Sequence, residues 1–396
     1  MNTAMNVSKP TAHSIMDRAP TAFRLLGLLL SVSLGLILAG SAAASVAPSQ
    51  SKPTNPNPVP VMAYYYIWYD ETSWDRAKID YPMLGRYSSD NRMVMEQHVR
   101  WAKDAGIDGF IVSWKSTFKL DSRLQQLADV ANEQGIYLWV IYQGLDFNRQ
   151  PLPVDRIEAD LEYFVQQFAD HPAFAMYPKP MVIWSGTWEF SPAEIDLVTA
   201  RFRDRLTILA SERNVNGYER LAASVDGNAY YWSSVNPATY PGYDEKLQAL
   251  GAAVHDNGGY WVAPAAPGFD ATLLGGTTIV DRSDGATFRR EMDAALGSQP
   301  DAIGVISWNE FSENTQIEPS VAYHRKSLDI LAGIESSTAP AILDFDSNAP
   351  ATIDRKQPQG LIVLGGFGIF VGFTMLIVVR RQSARQPDRQ EPGVIP

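Results

Sequence analysis

The sequence predicts an α/β fold, a (β/α)8 barrel of the TIM type, with a signal segment before it and a transmembrane helix after it. Three observations carry this. Short apolar runs alternate with segments of helical period over roughly 270 residues, enough for eight strand–helix units. No glycine-rich phosphate fingerprint follows the first run, which argues against an open dinucleotide-binding sheet. Two further apolar stretches bracket the alternation at the chain's ends.

The first run, Val61 to Tyr69, is continuous, aromatic and too short for a helix, so it is expected to be a buried strand. Val94, Trp101, Ala102 and Ala105 then share one helical face, closed by Gly106. Phe110 to Trp114 makes the second strand. Leu124, Leu127, Ala128 and Ala131 make a helix ending near Gly135, and Tyr137 to Tyr142 the third strand. Ile157, Leu161, Phe164, Val165 and Phe168 repeat the helical spacing before a fourth strand at Pro180 to Trp184. The next helix is expected to carry Ile195, Val198, Phe202, Leu206 and Leu209, with short strands at Leu221 to Val225 and Ala229 to Trp232. A helix around Leu247 to Val254, a strand at Tyr260 to Ala265, a helix around Phe288 to Leu296 and a strand at Ala302 to Trp308 complete the set.

The chain has 396 residues, 45% hydrophobic and 19% charged, a composition that excludes wholesale disorder and permits a large core. It has no cysteine, which removes disulfide frameworks, thiolate catalysis and thiolate metal sites together. Residues 1–47 and the tail from Arg380 each carry a net +2, so the overall −11 leaves −15 to residues 48–359. A nucleic-acid partner is not expected for that stretch, since phosphate binding needs a basic footprint. Residues 1–47 have the layout of a signal peptide or anchor: Arg18 and Arg24, an apolar core from Leu25 to Ala39, then small residues. Residues 48–60 hold five prolines and read as a linker, 61–334 as the barrel, and 335–359 as a stalk. Residues 360–379 are uncharged, long enough to span a bilayer, and followed by Arg380 and Arg381, so 380–396 is read as a cytoplasmic tail. The expected setting is a single-pass cell-membrane protein, attached through its C-terminal helix, with its barrel outside the cytoplasm.

In such a barrel the chemistry sits at the carboxyl ends of the strands. The residues there are Tyr66, Trp68, Tyr69 and Asp70; Trp114 and Lys115; Tyr142 and Gln143; Trp184; Asp226; Tyr231 and Trp232; and Asn309, Glu310 and Glu313. Aromatic rings around a carboxylate pair suit a carbohydrate cleft, because rings stack on the apolar faces of sugars. Glu310 and Glu313 are three residues apart after the last strand, and glycosidic cleavage needs two carboxyl groups on either side of the scissile bond. Spacing alone leaves open that one of them caps a helix or pairs with an arginine. Glu318, before Pro319, reads as structural, and His98 as a packed or capping histidine. His171 and His255 show no metal spacing, and no cofactor is expected.

The segment Trp308-Asn309-Glu310-Phe311-Ser312-Glu313-Asn314-Thr315-Gln316-Ile317-Glu318-Pro319 resembles the signature of glycoside hydrolase family 99, the endo-α-mannosidase family. Tyr64 to Tyr69, Gly85 to Ser89, His98 to Lys103 and Ala105 to Phe110 resemble that family in order and spacing, so the likeness covers essentially all of 61–330. It implies a metal-free (β/α)8 barrel and retaining hydrolysis within α-mannoside chains. Glu310 would assist the sugar's own 2-hydroxyl in displacing the leaving group, and Glu313 would act as acid and then base. Tyr231 and Trp114 would contact the sugar. From their places at strand exits and beside the pair, Tyr66, Trp68, Gln143, Asn309 and Gln316 are further candidates for binding substrate, and Asp226 either binds sugar hydroxyls or holds loop backbone. Phe311, Ser312 and Asn314 replace the family's Trp, His and Gly, and Gln143 stands where the mannosidases carry a substrate-binding glutamate. The expected function is cleavage of an oligosaccharide or polysaccharide with α-mannoside-type, or related α-linked, linkages. A non-catalytic glycan-binding barrel and an envelope polysaccharide assembly protein are the alternatives.

Overall fold

The computed structural model describes residues 59–333. The expected signal segment, stalk, transmembrane helix and tail, and all but the last two residues of the linker, lie outside the described residues. Among the described residues no helix is long and apolar enough to cross a membrane.

The elements run β1 (Val61–Tyr66), α1 (Arg92–Asp104), β2 (Gly109–Trp114), α2 (Phe118–Gln134), β3 (Tyr137–Gln143), α3 (Val154–Gln167), β4 (Met181–Ser185), α4 (Pro192–Phe202), β5 (Thr207–Leu209), α5 (Val215–Glu219), β6 (Gly227–Ala229), α6 (Tyr243–Asp256) and β7 (Tyr260–Ala265). A small antiparallel hairpin follows, β8 (Phe269–Asp270) with β9 (Ile279–Val280), then α7 (Ala286–Gly297), β10 (Ala302–Val305) and α8 (Lys326–Leu331). Eight parallel strands are ordered β5-β4-β3-β2-β1-β10-β7-β6. An isolated parallel bridge between Ala210 and Asn228 joins the two ends, which makes the sheet a nearly closed barrel. The first and last barrel strands are neighbours, with Ala63 opposite Val305.

The helices form where the apolar period and the end signals agree. Asn91 accepts the Met93 N–H at the start of α1, Thr117 accepts from Leu120 at the start of α2, and Ser191 with Glu194 builds a reciprocal capping box on α4. α2 stops at Gly135, whose φ of 76° is one a side chain resists. Leu124, Leu127 and Ala128 of α2 are completely buried against the sheet, and each leucine so buried contributes roughly 1.5–3 kcal/mol.

The fifth strand differs from expectation. Leu206 and Leu209 have helical spacing with Phe202, yet α4 ends at Phe202 and residues 207–209 form β5. Leu221 to Val225, expected as a strand, forms turns after α5, and β6 is Gly227–Ala229. Strands of three residues are too short to display an alternation of their own.

Two apolar layers result. Met62, Tyr64, Ile111, Trp139, Ile141, Met181, Ile183, Leu209, Ala229, Val262 and Ile306 fill the barrel, and a larger cluster lies between strands and helices. At the barrel's floor, aspartates that precede strands tie neighbouring strands together. Asp108 accepts the Val61 N–H (2.8 Å), Asp226 that of Ile208 (2.7 Å) and Asp301 that of Trp261 (2.8 Å). Also on the floor, a cavity of about 310 Å³ is lined by Val61, Gly106, Met292, Ile330 and Leu331, bringing the start of the barrel beside its last helix.

Candidate active site

Side chains in a strand alternate between faces, so position within the strand decides which residues reach the mouth of the barrel. On β1, Met62 and Tyr64 point inward, and Tyr66 continues that face at the mouth; its hydroxyl is 2.8 Å from that of Tyr231, just past β6. Tyr231 also packs edge-on against Tyr64, and Trp68 packs on Tyr66 with ring centroids 4.3 Å apart. On β2 and β3 the inward positions at the mouth are Ser113 and Gln143, whose Nε2 donates to Ser113 Oγ at 3.0 Å. Trp68 and Tyr231 are half-buried, and the others are buried.

Glu310 and Glu313 lie in the loop from Ser307 to Glu318. The base of that loop is closed by Ile317 N–H to Ser307 O and Glu318 N–H to Trp308 O, both 2.8 Å, and by Ser307 N–H to Thr315 O at 2.9 Å. Inside it, the amides of Glu313 and Thr315 both donate to Glu310 O at 3.3 Å. This tight path requires a positive φ at Asn314, 53°, and asparagine is among the few non-glycine residues that adopt it readily. Asn314 therefore preserves the backbone turn at a position where the family carries glycine.

Both carboxyl groups are sealed from solvent. Burial raises Glu310 to about 7, offset in part by the Ser312 N–H, 3.0 Å from Oε1, and by the positive field of Lys78. Burial also pushes Glu313 well above the usual carboxylate range, and the neighbouring Glu310 charge adds to the shift. Neither Glu313 oxygen has a protein hydrogen-bond partner. The pair is thus split: Glu310 is the group that ionises first, and Glu313 is the group that keeps its proton. Tyr66 and Tyr231 are likewise raised by burial, with both glutamates contributing for Tyr66, so both phenols stay protonated.

Two sequence-predicted contacts are corrected. Trp114 does not face the mouth. It follows inward-facing Ser113 by one residue, so it points out of the barrel, where it is completely buried beside Phe164 and Phe168 and its Nε1 donates to Asp121 at 2.9 Å. Asp226 is at the amino end of β6, on the floor, because the strand begins after it rather than before it. Asn309 and Gln316 are beside the pair in sequence but engage the protein. Asn309 accepts the Tyr66 N–H (2.8 Å) and donates to Tyr66 O (3.0 Å), while Gln316 donates to Asp80 (3.1 Å). Tyr66, Trp68, Gln143 and Tyr231 are gathered at the mouth. Lys78 and Ser113 were missed, since a loop lysine and a strand serine carry no pattern of their own. Lys78 is 8% exposed, bonded to Ser73 O at 3.1 Å, and burial lowers it to about 8. Among the described residues no cluster of three or more His, Asp or Glu side chains is placed to hold a metal ion.

Residues 71–333 match glycosyl hydrolase family 99. The chain belongs to that family. Relatives in sequence include the glycoprotein endo-alpha-1,2-mannosidase of Rattus norvegicus, 24% identical over 266 residues that cover 61% of this chain and 56% of the rat protein. The endo-alpha-1,2-mannosidase-like protein of Danio rerio is 24% identical over 336 residues, 69% of this chain and 74% of its own. The chain therefore spans little more than half the length of the rat relative. Among solved structures, the GH99 endo-alpha-mannosidase of Bacteroides thetaiotaomicron superposes with a TM-score of 0.61 at 22% identity, covering 69% of this chain and 95% of that one, a likeness of fold.

Proposed function

We propose that this family 99 protein is a retaining glycoside hydrolase acting on α-mannoside-type glycans, with Glu310 and Glu313 as its working carboxyl groups. The observation that carries the reading is the split pair: two carboxyl groups buried in one loop at the mouth of the barrel, one held protonated and the other able to ionise near neutrality. Glu313, uncharged, supplies the proton to the departing glycosidic oxygen, and once ionised it withdraws a proton from water. Glu310, ionised, takes the proton of the substrate hydroxyl as its oxygen bonds to the anomeric carbon and the glycosidic bond breaks; water, giving a proton to Glu313, then displaces that oxygen, which regains its proton from Glu310, so the configuration is inverted twice and retained overall. Tyr66, Tyr231 and Trp68 form a ringed wall for the sugar, and Gln143 presents a neutral amide, so sugar hydroxyls meet no extra charge on that side.

The names of the relatives support mannosides as the substrate class. The apolar, arginine-flanked ends of the sequence support export and attachment to a membrane with the barrel outside the cytoplasm. The test is product release by the full chain in detergent from α-mannans and defined α-mannosides, with the anomer first released followed by proton NMR. Release of the retained anomer by wild type, abolished in Glu310→Gln and Glu313→Gln, is the expected result. Silence across the panel with glycan binding intact overturns the hydrolase reading in favour of a binding barrel.

A further inference from the structure

We propose that His98 and Glu318 are a positioning pair that fixes the loop carrying Glu310 and Glu313 through a chain of hydrogen bonds with a set polarity. Both side chains are completely buried, and they come from different layers: His98 from the middle of α1, Glu318 from the closing end of the Ser307–Glu318 loop. His98 Nε2 is 3.1 Å from Glu318 Oε1, an ion-pair contact off the line of a hydrogen bond, and His98 Nδ1 is 2.8 Å from the Tyr65 hydroxyl. Glu318 Oε2 accepts the Tyr87 hydroxyl proton at 2.8 Å. The Tyr87 oxygen in turn lies 3.3 Å from Asn309 Nδ2, and Asn309 is joined by a peptide bond to Glu310.

The carboxylate sets the direction of this chain. The Tyr87 hydroxyl donates its one proton to Glu318 Oε2 and is left as an acceptor for the Asn309 amide. That leaves Asn309 Nδ2 to point at Tyr87 and Tyr66 O, and Asn309 Oδ1 to receive the Tyr66 N–H. The amide is locked in one of its two orientations and clamps the root of the loop to β1. Tyr69 strengthens the clamp, its hydroxyl donating to Asn309 O at 2.6 Å. A stability role alone does not account for a buried histidine–glutamate pair here. Rings of Tyr65, Tyr87, Trp101 and Trp308 surround His98, and in such surroundings an apolar pair of similar volume packs as stably or better. What the pair adds is orientation at a residue adjacent to Glu310.

The part played in turnover rests on the hydrolase reading, whereas the hold on the loop does not, and the experiment reads both. Glu318→Gln, His98→Leu and His98→Gln are compared with wild type, full length, for kcat, KM and Tm, and for amide hydrogen exchange over residues 307–318. Glu318→Gln and His98→Leu are expected to lower kcat about 10- to 100-fold with KM within about twofold, the signature of a displaced reacting group rather than a lost sugar contact. His98→Gln, which keeps an N–H toward Glu318, is expected to restore most of kcat. Loop exchange is expected to rise about tenfold in the two damaging variants while the helices stay protected. Should Glu318→Gln fail to fold, Tyr87→Phe removes only the hydroxyl link and is expected to move kcat and loop exchange in the same direction. Unchanged kcat and unchanged exchange in a folded Glu318→Gln overturn the proposal. A wild type that is inactive on every substrate, with loop exchange still raised in the variants, overturns the hydrolase reading and upholds the positioning pair.

Discussion

At the scale of single residues, the buried carboxyl groups couple activity to stability. Glu310 is held at about 7 against an ordinary 4.5, so the folded chain keeps a proton that the unfolded chain gives up. Its stabilising contribution is complete below about 4.5 and is lost as the pH rises through about 7. Glu291, raised to about 8 by burial and bonded to Tyr243, adds in the same direction over a window reaching higher. Thermal melts from pH 4 to 9 should therefore show Tm falling across this interval, with Glu310→Gln flattening part of the slope and Glu291→Gln another part. In the proposed mechanism Glu310 acts ionised and Glu313 protonated, so kcat/KM should rise with pH through about 7. Each Gln variant of the pair should lower kcat about 10²–10⁴-fold. It should leave Tm equal or higher, since an amide is neutral at every pH in a site that penalises charge. That the two glutamates share one loop after the last strand was legible in the sequence because their motif is long. Lys78 was not, because its action on Glu310 comes from the folding of a loop rather than from any local pattern.

At the scale of elements, what the sequence revealed and what it concealed follow from periodicity. Helices α1, α2, α3, α6 and α7 are exposed on one side, so their apolar residues recur at a visible interval and their ends carry caps. β2 is buried on both faces, and a strand of that kind shows no alternation that could tell Ser113, facing in, from Trp114, facing out. Trp114→Phe should consequently leave KM within about twofold, while Tm falls because the Asp121 hydrogen bond and part of the outer packing are lost. The floor aspartates make a parallel case. Asp108→Ala strands the buried Val61 N–H, a loss of about 1–3 kcal/mol, and Tm should drop by several degrees with kcat unchanged in the surviving native fraction. Asp226 was misread for a related reason: its place on the floor depends on a strand start that three residues do not announce.

For the molecule as a whole, the barrel is not equally strong around its circumference. β2 and β3 share six paired positions, whereas β5 and β6 meet through the single bridge from Ala210 to Asn228, flanked by short backbone bonds. Gly227 sits at that seam with φ of 152°, and a Cβ there would come within 2.2 Å of Tyr260 O. Gly227→Ala should drive β6, weakly held to β5, away from β7, seen as faster amide exchange in residues 227–230 and 260–262 ahead of the rest of the sheet, together with a lower Tm. The floor cavity shared by Val61 and Leu331 bears on how the barrel can be used. The described polypeptide enters and leaves the barrel at its floor, and the loop with the buried carboxyl pair follows the opposite end of the last strand. Both ends of the described barrel are therefore held away from the loop that carries the pair, much as a tool gripped by its handle leaves the working edge clear.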